Sequence, residues 1–286
     1  MNMTKSFFLS DIPKQYRDPA RAAVAIIPVP YDATSSWMKG ANKGPSAIIE
    51  ASATVENYDI ESDSEPYKVG IFTDNPVTES RTPEKMVAAV EKRITGHLSA
   101  GRFPIVLGGE HSVSIGAIQA QAKKYKKLTV LQLDAHADLR DEYHGSKFSH
   151  ACVMARAQDL CETVQVGIRS MDTSEKPRLK KSKVFFAEKI QGKRDWIAKV
   201  VSHLKGSVYV TIDLDVFDPS IMPSTGTPEP GGLLWYETLD LLRQVFRKTS
   251  VTGFDVVEMC PNKTNKAPDF LAAKLIYKLI SYKFSK

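Results

Sequence analysis

The stretch Thr129-Val130-Leu131-Gln132-Leu133-Asp134-Ala135-His136-Ala137-Asp138 changes character halfway along. Its first five residues are short, apolar and β-prone, which predicts a buried strand. Its last five place Asp134, His136 and Asp138 at every second position. Side chains of an extended chain alternate between faces, so residues two apart point the same way. Three metal-capable side chains on one side of a strand end are costly to bury unless something pairs with them, and a divalent cation would do so. An ordinary polar exit from a strand is the alternative for this stretch taken alone.

Outward from it, short apolar runs alternate with helical patterns over the whole chain. Strands are predicted at 24–29, 69–72, 104–107, 129–133, 164–168, 184–186, 208–212 and 251–257. Helices are predicted at 45–57, from Pro83 onward, and at 112–124, 196–204, 235–248 and 268–282. Strands that alternate with helices argue for a parallel sheet covered on both faces. With no internal repeat, low-complexity tract or long linker, residues 1–286 read as a single α/β domain.

Composition narrows the function classes. Apolar residues make up 42% and charged residues 25%, an ordinary globular balance. No apolar run approaches the roughly 20 residues of a membrane span. Phe7-Phe8-Leu9, followed shortly by Asp11, is too short for a signal-peptide core, so the chain reads as cytoplasmic, with no membrane partner. Cys152, Cys161 and Cys260 form no disulfide or zinc pattern. The net charge of +6 is dispersed, and its densest clusters, around Lys123–Lys127 and Lys180–Lys183, lack interleaved aromatic residues; nucleic acid is not an expected partner. His97 and His203 fall in helical surface patterns and receive no role.

Open parallel sheets bind ligands outside the carboxyl ends of their strands. The unusual residues fall there. The third strand runs into Gly108-Gly109-Glu110-His111-Ser112, where the glycines permit a tight turn or a close backbone approach. The seventh ends in Asp213-Leu214-Asp215, and the eighth in Asp255-Val256-Val257-Glu258. Each has an ordinary structural reading, but together they gather His111, Asp134, His136, Asp138, Asp213 and Asp215. Four aspartates and two imidazoles are too many for one small cation and suit two. Oxygen-rich donors with imidazole and no thiolate favour Mn²⁺ or Mg²⁺ over structural Zn²⁺, and the histidines tip the choice to two Mn²⁺ ions. Two such ions about 3.5–4 Å apart activate a water, which predicts a hydrolase. A two-metal phosphoesterase is the alternative.

The segments Gly108–Ser112, Asp134–Asp138, Thr211-Ile212-Asp213-Leu214-Asp215-Val216-Phe217-Asp218-Pro219 and Ser224-Thr225-Gly226-Thr227-Pro228-Glu229-Pro230-Gly231-Gly232 together resemble the signatures of the ureohydrolase family, arginase, agmatinase and their relatives. The resemblance runs from about residue 40 to 261. It implies a three-layer α/β/α fold with an eight-stranded parallel sheet. It also implies a binuclear manganese centre that hydrolyses a guanidino compound to urea and an amine. The six residues above would be the metal ligands, and Glu258 would hold the substrate guanidinium, whose planar fork of donors a carboxylate matches. A proton donor for the leaving amine would come from Tyr143-His144-Gly145-Ser146-Lys147-Phe148-Ser149-His150, with His144 the first choice and His150 the competitor.

The short loop after Asp138 lacks the Asn that arginases carry there and looks agmatinase-like. Agmatine, cleaved to putrescine and urea, is therefore the expected substrate; arginine and a guanidino acid such as guanidinobutyrate are the alternatives. Asp141, Glu142 or Glu229 would meet the ammonium of agmatine. Arg140 would bind a carboxylate or make a structural ion pair, the latter favoured. Thr227 and Glu229 belong to a Gly- and Pro-rich segment expected to wall the pocket. A catalytically silent binding protein of the same fold is disfavoured because every expected ligand is present. The resemblance further implies a homo-oligomer, a trimer or hexamer.

Overall fold

In the computed structural model, which describes residues 7–285, each predicted apolar run forms a strand. They are β1 (Val24–Val29), β2 (Ile71–Thr73), β3 (Phe103–Gly108), β4 (Leu128–Leu133), β5 (Glu162–Ile168), β6 (Val184–Phe186), β7 (Ser207–Asp213) and β8 (Ser250–Val257). All pair in parallel in one sheet of order β2-β1-β3-β8-β7-β4-β5-β6. The second strand begins two residues later than expected. Pro66–Val69 closes a 3₁₀ turn that ends at Gly70, where φ is +84° and a Cβ would lie 2.8 Å from Ala22 Cα.

Strand side chains alternate between two apolar layers. Val24 and Ile26 of β1, Leu131 and Leu133 of β4, and Val208, Val210 and Ile212 of β7 pack on one face. Ala25, Ile27, Val130 and Tyr209 pack on the other. The first layer is covered by α1 (Gly44–Ser52), α6 (Asp195–His203), α7 (Trp235–Lys248) and α8 (Ala267–Phe284). The second is covered by α2 (Pro83–Ser99), α3 (Val113–Lys124) and α4 (Val153–Gln158). Strands buried on both faces read as continuous apolar runs, which is why the pattern was legible. The short α4 and α5 (Ala187–Ile190) were not expected; each has at most two turns and too few residues to show a helical period.

His97 departs from its expected surface position. It is buried on α2, and its Nε2 lies 2.9 Å from Asp74 Oδ2, an ion pair that Arg93 joins at 2.8 Å.

The strand order has one consequence for the site. β3, β8, β7 and β4 are consecutive neighbours in the sheet, so their carboxyl ends open side by side at its centre. Parallel α/β sheets bind ligands in that position.

Candidate active site

β3 and β8 deliver the first groups through a close backbone approach. The N–H of Gly109 donates to Val29 O at 2.8 Å, and that of Glu110 to Tyr31 O at 2.9 Å. A Cβ on Gly109 would lie 1.9 Å from Tyr31 O, so no other residue fits there. Glu258 N–H donates to Gly109 O at 2.8 Å, and the Glu258 carboxylate accepts the His111 N–H at 2.7 Å. Glu258 itself has φ of +65°, a left-handed conformation rarely held by a residue with a long side chain.

The His111 ring is fixed from behind. Its Nε2 lies 2.8 Å from Thr211 Oγ1, whose hydroxyl donates to Asp255 Oδ1 at 2.6 Å, while Tyr209 donates to Asp255 Oδ2 at 2.8 Å. Thr211 therefore accepts from Nε2–H, which leaves the Nδ1 lone pair pointing the other way. Nδ1 faces Asp138 at 3.0 Å, Asp134 at 3.1 Å and Asp213 at 3.4 Å, and it is a buried atom with no hydrogen-bond partner among the described residues.

Asp134, His136 and Asp138 converge, but not by strand alternation. β4 ends at Leu133, and all three residues lie beyond it. The convergence comes from local bonding: His136 N–H donates to Asp134 Oδ1 at 2.6 Å, and Asp138 takes a left-handed φ of +52°. Asp213 closes β7, and Asp215 lies in a 3₁₀ turn whose N–H donates to Asp213 Oδ1 at 2.9 Å. Asp215 Oδ2 stands 2.9 Å from His136 Nδ1.

The donors form two groups. One is His111, Asp134 and Asp213; the other is Asp134, His136 and Asp215, with Asp134 common to both and each group's ligand atoms within 4.8 Å of one another. Asp138 stands against the first group through His111. The electrostatics call for positive charge. Burial and the neighbouring Asp134 push the Asp138 carboxyl up to about 7. Burial, then Asp215 and Asp134, push Asp213 well above the carboxylate range. Burial opposes charge on His136, yet Asp215 and Asp134 overcome it and draw the imidazole up to about 12. An orphaned imidazole nitrogen among crowded buried carboxylates, with a shared aspartate between two donor sets, fits a pair of divalent cations.

All of these donors except the fully buried Asp134 line the floor of a cavity of about 180 Å³. Its walls include Trp37 and Met38 from the segment after β1, Arg140 and Tyr143 from the loop after Asp138, and Asp172 from the loop after β5. Trp37 is 69% exposed. Glu258 and Thr227 face the cavity. Glu229 is not part of its lining, but its Oε1 lies 4.0 Å from His136 Nε2.

Of the two loop histidines, His150 lines the cavity. His144 does not: it is solvent-exposed, with φ of +49°, in a tight turn, its ring edge-on to Tyr143. The turn closes through Tyr143 and Ser146, which point the two histidines to different places. Burial, then His111 and His136, hold the His150 imidazole down at about 4.

Arg140 lies 3.6 Å from Asp172 and stacks 5.0 Å from the Tyr143 ring, the structural pairing favoured from sequence, while still bordering the cavity. Asp141 turns outward to Arg178 and Arg156, and Glu142 is exposed, so neither stands at the cavity wall. Asp172 and Glu175 stand there instead. Sequence offered a signal for these two, an Asp-x-x-Glu capping box that does form, but not its location. Glu110, Asp255 and Trp37 were likewise assigned no role from sequence; the first two sat inside quoted motifs.

The arginase-family profile matches residues 22–281. N(1)-aminopropylagmatine ureohydrolase of Synechocystis sp. is 38% identical, with 97% of this chain and 94% of that protein covered. Agmatinase of Pyrococcus horikoshii is 33% identical over 89% of this chain and 90% of its own length. Among solved structures, agmatine ureohydrolase of Thermoplasma volcanium superposes with a TM-score of 0.88 at 31% identity, covering 99% of this chain and 95% of its own.

Proposed function

The chain belongs to the arginase family, and from that premise we propose that it hydrolyses the guanidino group of a polyamine, agmatine in the simplest case, to urea and an amine. The observation that carries this reading is Glu258. It is a buried carboxylate facing the cavity beside both donor groups, and no Lys or Arg among the described residues pairs with it. Burial, then Glu110, push its carboxyl well above the usual range, so the group stays a carboxylate there only beside a cation. A guanidinium keeps its charge at neutral pH and presents two parallel N–H donors to a carboxylate.

His111, Asp134, His136, Asp138, Asp213 and Asp215 would hold two divalent cations. We take these to be manganese, on the mixture of carboxylate and imidazole donors. Bound there, the ions supply Lewis acidity and lower the pKa of a water. Glu258 would orient the guanidinium with its central carbon toward the metal-donor residues. His150, held neutral, takes at Nε2 the proton the attacking water sheds. It returns the proton to the amine nitrogen as the C–N bond breaks.

A longer substrate is the second reading. The relatives at 38% identity are named for N(1)-aminopropylagmatine, and the wall offers Trp37 and Asp172 to an extended cationic chain. The test is urea release with Mn²⁺ from agmatine, N(1)-aminopropylagmatine, arginine and 4-guanidinobutyrate on one preparation. We expect the two polyamines to have the highest kcat/KM. A clear preference for arginine would overturn the substrate class, and no urea from any of the four, with both ions bound, would overturn the hydrolase.

A further inference from the structure

His150 is held by a hydrogen-bond chain that is anchored on a buried carboxylate and includes no metal-ligand side chain. Thr34, five residues past the end of β1, reaches across to the loop after Asp138. Its Oγ1 lies 2.7 and 2.8 Å from the two carboxylate oxygens of Glu110, 3.0 Å from the backbone N of His150 and 3.2 Å from His150 Nδ1. Glu110 is fully buried and also accepts the Thr34 N–H at 2.7 Å and the Ser112 hydroxyl. Ser149 Oγ lies 3.2 Å from the same Nδ1.

Proton counting gives the directions. Thr34 Oγ1 carries one hydrogen, and a carboxylate only accepts. A main-chain N–H and two hydroxyls directed at the Glu110 oxygens are the partners of an ionised group. With its one hydrogen on Glu110, Thr34 accepts the backbone N–H of His150 and can meet Nδ1 only as an acceptor, which calls for Nδ1–H; Ser149 Oγ is then a second acceptor beside it. No protein group is bonded to the other ring nitrogen, Nε2, among the described residues, and the ring borders the cavity.

We propose that Thr34, anchored by Glu110, is a positioning residue that fixes His150 as the Nδ1–H tautomer and so keeps the Nε2 lone pair free for the reacting proton. The inference rests on the reading of His150 as the proton shuttle. An imidazole with its proton on Nε2 cannot take up the proton of the attacking water there. The chain also ties the segment that carries Trp37 to the loop that carries His150, so one hydroxyl serves two walls.

The test compares the Mn²⁺-loaded wild type with Thr34→Val, which keeps the shape and removes the hydroxyl, Thr34→Ser, which keeps the hydroxyl, and His150→Ala. Thr34→Val is expected to lower kcat about 10-fold or more with KM and bound metal unchanged, and Thr34→Ser to stay within about 3-fold. In metal-free protein with ¹⁵N-labelled histidine, the His150 nitrogen shifts, assigned by their loss in His150→Ala, should report Nδ1–H in the wild type and in Thr34→Ser. Thr34→Val should give a mixture. If His150→Ala is inactive but Thr34→Val keeps full kcat, or loses it only together with metal, the positioning role is wrong while the shuttle stands. If His150→Ala keeps full turnover, the shuttle reading fails and takes the positioning role with it. Thermal melts of all variants separate these results from a folding defect.

Discussion

The floor and the walls of the cavity are built by different means. On the floor, His111, Asp134, Asp213, Asp215 and Glu258 all lie within three residues of the ends of β3, β4, β7 and β8, four neighbouring strands. Main-chain hydrogen bonds between adjacent strand ends fix their spacing, and nearly all of these side chains are fully buried. On the walls, Trp37, Tyr143, His150 and Asp172 lie outside the strands, and His150 and Asp172 are tied by side-chain contacts to Thr34 and Arg140, in segments distant in sequence. The difference suggests a division of labour: the floor holds charge and the walls handle protons and choose substrates.

Substitutions on the two sides should therefore fail differently. The largest effect is expected from Asp134→Ala. This residue is shared by both donor groups, so turnover should vanish together with both bound ions, as metal analysis of the purified protein would register. A variant that kept both ions would break the comparison at its base. Next is the wall residue His150. His150→Ala should lower kcat about 10²–10⁴-fold with metal content intact, whereas His144→Ala should stay close to wild type in the same steady-state assay. Behind the floor, Thr211→Val removes the acceptor that orients His111. It should weaken metal affinity about 10–100-fold in a competitive chelator titration, while activity at saturating metal largely recovers. The smallest effect belongs to the rim. Trp37→Ala should raise KM for a polyamine by a few-fold, consistent with an exposed cation–π contact of about 0.5–1 kcal/mol, and leave kcat and metal content unchanged. Loss of metal in that variant would erase the distinction between rim and floor.

The same division explains what could be read from sequence. The eight strands were legible because a parallel sheet buried on both faces leaves short unbroken apolar runs. The floor residues were legible because each sits a fixed, short distance past such a run. The reason given for Asp134, His136 and Asp138 was nevertheless incomplete, since their convergence depends on a left-handed Asp138 rather than on alternation. The walls were less legible. The first choice between two histidines six residues apart fell on His144, which the turn at Tyr143–Ser146 directs to solvent. Asp172 and Glu175 meet the cavity only because β5 lies beside β4 in the sheet, a neighbour relation that local pattern does not carry. Trp37 gave no signal at all, since an exposed aromatic in a loop has no period.

The sheet order also sets a schedule. β8 is the last strand in chain order, yet it lies between β3 and β7. Until it inserts, β3 with His111 and the β7–β4 pair with the aspartates are not joined within the sheet. Glu258, which accepts the His111 N–H, arrives with that same strand. Contacts of such long sequence separation form late and slowly. A nascent or truncated chain lacking β8 would thus hold its acidic strand ends apart from His111. Capture of the ion that needs His111 would then mark the completion of folding, whereas Asp134, His136 and Asp215 need only the β4–β7 pair.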